Sequence, residues 1–174
     1  MNAGELIFAG RKRCDSQSGP IIDFFSIRVF SRGARWMYEK SNAKGSVDAF
    51  DNSINFGFYG LLKYSVSLFF GLASAYWLSN IHPVLSPFSV FVFYFFEVHF
   101  LFLFPLLIDH SANPILTSVK LTYKMGLFKT IFIVMQIGVY MIAGVFDVKK
   151  PFYKWHIGCL AIIIWYENET RSRI

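Results

Sequence analysis

One carboxylate and one imidazole lie inside the most apolar stretch of the sequence. Glu97 and His99 are flanked on both sides by Phe, Val and Leu residues between positions 84 and 108. Ionisable groups at such depth in an apolar segment are costly, and in membrane proteins they usually face the bundle interior or a cavity. Glu97 is therefore the leading candidate for an ion, proton or ligand site. The alternative is a structural role, in which a protonated or hydrogen-bonded Glu97 holds helices together with Gln136 as its partner.

The spacing of the histidines decides whether they share a site with Glu97. Two positions on a helix correspond to about 200°, so Glu97 and His99 should point apart, and no catalytic dyad is predicted. His99 and His110 are eleven positions apart, which returns nearly to the same face of a continuous helix about 16 Å further along. Two haems or pigments could stack along this face, with each histidine giving one axial bond. The simpler interpretations are a histidine satisfied within the bundle for His99 and a solvated interface residue for His110.

Other sequence motifs of catalysis are not found. There is no glycine-rich phosphate loop, no zinc-protease motif and no nucleophile elbow. Cys14 and Cys159 lie in segments of opposite character, and they define neither a disulfide framework nor a metal site. The sequence thus leaves the cofactor unknown and enzymatic activity undecided, with a non-catalytic role favoured.

Composition predicts the elements that must carry these residues. Of the 174 residues, 55% are hydrophobic, 20% are aromatic and only 16% are charged, and the mean hydropathy is +0.44. A soluble domain has about 25% charged residues, so this composition excludes a disordered chain and argues against a soluble globule. We predict an all-α bundle of three or four transmembrane helices. The formal net charge of +6 does not indicate nucleic acid, because the basic residues are scattered around the apolar runs.

Four apolar stretches are long enough, or nearly so, to cross a hydrocarbon core of about 30 Å. After a basic segment at 1–56, we predict spans at 57–81, 84–108, 126–146 and 152–166. Lys63 is close enough to the start of the first span for its ammonium to reach the interface. Pro105 should kink the last turn of the second span. The fourth stretch makes only about 22 Å of helix, so it must either thin the bilayer or enter it partway.

Basic residues predict the orientation and the lipid contacts. From Ile21 to Tyr38, the apolar side chains at 22, 25, 29 and 36 share one stripe, and three arginines occupy the next. That pattern favours an amphipathic helix lying on the membrane surface or, equally, a soluble helix packed on the bundle or on another subunit. If all four stretches cross, fourteen Lys and Arg lie on the N-terminal side and three on the other, which predicts a cytoplasmic N-terminus. The residues predicted to contact lipid headgroups are Arg28, Arg32, Arg35, Lys120 and Lys124.

Three function classes fit this organisation. The favoured one is a non-catalytic accessory or assembly subunit of a larger complex in a cell or organelle membrane, because intramembrane polar groups are few and the aromatic surface is broad. Its partners would be membrane lipid and other membrane subunits, and not nucleic acid. The second is a small transporter or ion-path protein that uses Glu97. The third is a membrane enzyme of lipid metabolism, or a haem or pigment carrier, that uses His99 and His110.

Overall fold

The structure is a computed structural model that describes residues 1–14, 28–41, 50–51, 53–147 and 153–171. All regular elements within these ranges are helical, which confirms the all-α fold class. A 3-10 segment at Pro83–Phe88 separates α3 from α4. The helices in chain order are α1 (Ala3–Arg13), α2 (Arg28–Ser41), α3 (Phe56–Ile81), α4 (Ser89–His99), α5 (Leu103–Ile108), α6 (Pro114–Met125), α7 (Leu127–Val145) and α8 (Tyr153–Arg171).

Three helical stretches in the described part of the chain are long and apolar enough to cross a membrane. They are Phe56–Ile81, Pro83–Ile108 and Leu127–Gly144, close to the first three predicted spans. The fourth predicted span, 152–166, lies in α8, which is longer than expected at 19 residues. Helix α8 is not one of the three, because it carries charged residues near both of its ends. The structure is thus compatible with a small membrane protein.

The second of these stretches is broken. Helix α4 ends at His99, and turn residues 100–102 separate it from α5. Pro105 explains the break, because it has no amide hydrogen to donate to the carbonyl of Leu101 and its ring crowds that carbonyl. The sequence predicts a kink in the final turn; the interruption instead lies one turn earlier, directly after the segment that carries Glu97.

Two hydroxyl groups of α6 form hydrogen bonds with the backbone next to this break. The sequence suggests a polar connector after the second span, but residues 114–125 form a helix whose Ser118 and Thr122 are fully buried. The Phe102 amide donates to Ser118 Oγ at 3.2 Å, and Thr122 Oγ1 donates to the Val98 carbonyl oxygen at 2.7 Å. Backbone groups at membrane depth must find partners within the protein, and these hydroxyls supply them at the break.

Small side chains bring α3 close to α4. Ser67, Gly71 and Ala75 follow one another at four-residue steps on α3. A Cβ atom added to Gly71 would lie 3.2 Å from the Cβ of Phe93 on α4, and Ser67 is fully buried. Small residues allow helices in lipid to approach closely, and here they place the two helices that carry Lys63 and Glu97 in direct contact.

Helix α8 is enclosed by α1 and α7, both of which pack along it. Helix α1 approaches so closely that a Cβ atom on Gly10 would lie 2.6 Å from the Ile157 carbonyl oxygen. Arg13 at the end of α1 forms an ion pair of 2.8 Å with Glu167 of α8. As a result α8 contributes a run of buried side chains to the core: Ile157, Leu160, Ala161, Ile163, Trp165 and Tyr166.

Helix α2 overlaps the predicted amphipathic helix over residues 28–38, whereas residues 21–27 lie outside the described residues. It packs on the bundle through Phe30, whose ring stacks with those of Tyr64 and Phe104, and through the buried Ala34. The inward stripe therefore differs from the predicted one, because the aromatic rings of α3 and α5 receive Phe30. Trp36, which we expected in that stripe, packs edge-on against His156 of α8 instead.

Candidate functional site

Lys63 of α3 and Glu97 of α4 form an ion pair in the protein interior. The Lys63 Nζ and Glu97 Oε1 atoms are 2.9 Å apart, and the two residues are only 6% and 9% exposed. The Ser67 hydroxyl donates to the Lys63 carbonyl oxygen at 3.0 Å and lies 3.4 Å from Glu97 Oε2. Three polar side chains from two adjacent helices thus form one compact site in which the two charges cancel.

The predicted position of the Lys63 ammonium at the interface is wrong. Lys63 lies seven residues inside α3, about 10 Å by helical rise, and its charge turns inward to Glu97. A charge-assisted hydrogen bond to a carboxylate replaces the hydration that the interface would have provided. The sequence holds a signal for this pair, because Lys63 lies 19 positions before His82 and Glu97 lies 15 positions after it. In two antiparallel helices that difference is about 6 Å of depth, which a lysine side chain spans.

Helices α7 and α8 also reach the neighbourhood of the pair. Tyr94, one turn before Glu97, touches α7, where a Cβ atom on Gly138 would collide with its hydroxyl. Cys159 of α8 lies within range of electrostatic interaction with Lys63. This arrangement can do two things chemically. It can hold α3 against α4 by a charge-assisted hydrogen bond, or it can pass a proton between a carboxylate and an amine.

Gln136 is not the partner of Glu97. Its side chain is exposed on α7, and the Glu97 carboxylate is satisfied by Lys63 and Ser67 instead. The prediction assumed that Gln136 faces the bundle interior, but Ile133 and Ile137 occupy the inward face of α7.

His99 and His110 do not share a face. The break at residues 100–102 interrupts the continuous helix on which that prediction depended, and His110 lies past the end of α5 with a φ of 52°. The His99 Nδ1 atom is 2.6 Å from the Phe95 carbonyl oxygen, and its Nε2 atom is 3.4 Å from the Tyr123 hydroxyl. Axial ligation by His99 would therefore require the loss of one of these contacts. As expected from the wheel, His99 and Glu97 have different partners.

His110 is exposed and lies near the carboxylate of Asp51, a residue between α2 and α3. Its Nδ1 atom is 3.8 Å from Asp51 Oδ2. Hydrogen bonds from Ser53 hold the pKa of Asp51 below its ordinary value. Among residues 1–14, 28–41, 50–51, 53–147 and 153–171, no group of three or more His, Cys, Asp or Glu side chains is arranged to hold a metal ion.

The exposed cations lie on α2 and α6. Arg32 and Arg35 are exposed on α2, and Arg35 forms an ion pair of 3.7 Å with Glu39. Lys120 and Lys124 are exposed on α6, whereas the side chain of Arg28 lies outside the described part of the structure. Contact of these cations with lipid headgroups stays a prediction.

Comparison with known proteins assigns no family, so the function is inferred from the residues themselves. No protein-family model matches this chain, and no match to it is found among the curated proteins or the solved structures.

Proposed function

We propose that this chain is a non-catalytic accessory or assembly subunit of a larger membrane protein complex. The observation that carries the proposal is the Lys63–Glu97 pair. Each charge neutralises the other between α3 and α4 at 2.9 Å, so the ionisable groups of this site serve first to join two helices. Polar side chains that bond across helices act in this way within membranes.

The hydroxyl groups near the break follow the same pattern. Ser118 and Thr122 bond to the backbone of the second span, and the His99 ring bonds to its own helix. By contrast, the outward faces are broad and apolar. Large side chains that are between 65% and 74% exposed follow one another along α3: Phe69, Leu72, Trp77 and Tyr76. Such a surface suits lipid and neighbouring membrane chains better than water.

We propose further that α8 is a fourth crossing, so that both chain termini lie on one side of the membrane. The Tyr166 hydroxyl, near the end of α8, donates to Asp109 Oδ2 at 2.7 Å, and Asp109 follows the second span. At the start of α8, the Lys154 side chain packs on Gly144, where the third span ends. The two ends of α8 therefore contact opposite ends of the bundle, and its 19 residues make about 28 Å of helix.

The enclosure of α8 supports this fourth crossing. A helix surrounded by α1 and α7 exposes little of its own surface to lipid, so its charged ends and modest length are better tolerated there. With four crossings and the buried Lys63 left out, thirteen basic residues lie on the N-terminal side and three on the other, which favours a cytoplasmic N-terminus. The exposed cations of α6 would then meet anionic headgroups on the cytoplasmic side.

A second candidate function is a proton or ion path through Glu97. One observation favours it: the two ionisable partners are buried beside the Ser67 hydroxyl, with the Tyr94 phenol one turn away. Chains of such groups within membranes mark proton relays. The two candidates assign different roles to the charges. A proton relay needs a group that gains and loses a proton, whereas a structural contact needs only electrostatic attraction or close packing.

One experiment separates the two functions. The tagged full-length chain is purified from its native membrane in mild detergent, and its mass is measured with and without the double substitution Lys63→Met and Glu97→Leu. A subunit should be recovered with other chains at fixed stoichiometry, and the double variant should retain them because the apolar pair still packs. A chain recovered alone, with proton flux in liposomes that Glu97→Gln abolishes, would refute the subunit role and support the relay.

A further inference from the structure

Gln136 is an exposed amide at the midpoint of a membrane-crossing helix. It is the tenth of the nineteen residues of α7. No residue that the structure describes forms a hydrogen bond with it. A primary amide has two donor hydrogens and an acceptor oxygen, and leaving them unpaired in hydrocarbon is costly. Its position on the lipid-facing side of the helix therefore calls for a partner from outside the chain.

The residues around Gln136 form a continuous outward stripe. Phe132, Gln136, Val139 and Ala143 follow one another at spacings of four, three and four, which places them within about 60° on the helix. All four are exposed. Alternating steps of three and four are the spacing of helices that pair along their length. We define these four residues as the α7 stripe.

We propose that the α7 stripe pairs with the α7 stripe of a second copy of this chain, with the two Gln136 amides hydrogen bonded to each other near the bilayer centre. Copies of one chain enter a membrane in the same orientation, so a two-fold axis along the membrane normal brings identical residues to the same depth. Because each amide both donates and accepts, Gln136 is complementary to itself. The small Ala143 and the Val139 side chain permit a close approach.

A second copy is the occupant that the stripe itself specifies. A different protein would need a polar side chain at the depth of Gln136, whereas an identical chain supplies one by symmetry. The inference rests on the membrane placement of α7 in the proposed function. It does not depend on whether the chain also joins other subunits, because the stripe lies on α7 and leaves the outward face of α3 uncovered.

Disulfide cross-linking in the native membrane tests the contact. The full-length chain carries Cys14→Ser and Cys159→Ala, and then either Val139→Cys in the stripe or Leu72→Cys on α3. Val139 and Leu72 are 65% and 67% exposed, so the two positions are matched in access to the oxidant. We expect a covalent dimer from Val139→Cys and a monomer from Leu72→Cys. Equal cross-linking of both variants, no dimer from Val139→Cys, or an adduct with a different protein would overturn the proposal.

The amide is tested separately in a chain with its natural cysteines. Energy transfer between labelled full-length copies in phosphatidylcholine vesicles gives the dimer dissociation constant. Gln136→Leu should raise that constant about 3- to 20-fold, which is the range for one hydrogen bond between membrane helices. Gln136→Asn should keep most of the affinity, because it preserves the amide. An unchanged constant for Gln136→Leu would contradict the proposal.

A carbonate wash of the membranes distinguishes failure of the α7 contact from failure of the proposed function. A chain that stays in the washed membrane without forming a dimer refutes only the α7 contact. A chain that the wash releases into the supernatant refutes the membrane placement, and both proposals with it.

Discussion

Replacing Lys63 with Met should lower the free energy of unfolding by about 3–5 kcal/mol. The estimate follows from the geometry of the pair. The Lys63 and Glu97 side chains are only 8% and 12% exposed and meet at 2.9 Å, so the substitution leaves a buried carboxylate whose strongest partner is gone. Glu97→Gln should cost a comparable amount, because it leaves the ammonium without its counter-charge.

The double substitution Lys63→Met and Glu97→Leu should restore most of the stability. Two apolar side chains of similar size need no partner, and replacing a buried ion pair in this way is often neutral or stabilising by about 1–4 kcal/mol. The two single variants together should therefore lose roughly 6–10 kcal/mol, whereas the double variant should lose close to none.

Reversible unfolding in mixed micelles, with an increasing fraction of dodecyl sulfate and tryptophan fluorescence as the signal, measures these differences. Lys124→Met is the matched control, because Lys124 is exposed on α6 and its replacement should change stability by no more than about 0.5 kcal/mol. Two results would show that the pair does not hold α3 to α4. Lys63→Met could lower the free energy of unfolding by no more than the control does, or the double variant could lose as much stability as the two single variants together.

Three further predictions concern smaller polar contacts. Thr122→Val removes the hydroxyl that donates to the broken span and should cost about 1–3 kcal/mol in the same unfolding assay, whereas Thr117→Val on the same helix should cost little; equal losses would contradict this role. Tyr166→Phe should cost about 1–2 kcal/mol through the lost bond to its carboxylate partner, and wild-type stability would refute that contribution. Because Ser53 lowers the pKa of folded Asp51, this carboxylate stabilises the fold above its unfolded pKa, and that stabilisation should be lost as the pH falls below about 4. Asp51→Asn should flatten the dependence of stability on pH in that window, and an unaltered slope would count against the assignment.

Local sequence properties predict the spans well. The hydropathy of about twenty consecutive residues does not depend on what packs around them, and the predicted bounds 57–81 and 84–108 differ from those observed by one residue at their starts. The position of the break at residues 100–102 is harder to predict from the sequence, because Pro105 indicates that the helix is interrupted but not where. The hydroxyls of Ser118 and Thr122 look ordinary in the sequence until α6 is placed against the break.

The candidate site depends on how the helices face one another. Glu97 could be found from its depth alone, but its partner depends on the rotation of α3 and α7 about their own axes. We predicted Lys63 at the interface and Gln136 inside the bundle, but the structure buries Lys63 against Glu97 and exposes Gln136 on the outer face of α7. The pattern of residues on α7 does not settle its rotation, since both of its faces are rich in apolar side chains.

The contact between α1 and α8 joins the first and the last of the helices that the structure describes. Leu6 and Ala3 are almost completely covered in the folded chain, and α8 packs along the helix that carries them. During translation, α8 can cover these side chains only after about 150 further residues have been synthesised. A chain truncated before α8 would therefore keep an uncovered N-terminal helix, which chaperones and membrane proteases can recognise as a sign of incomplete synthesis.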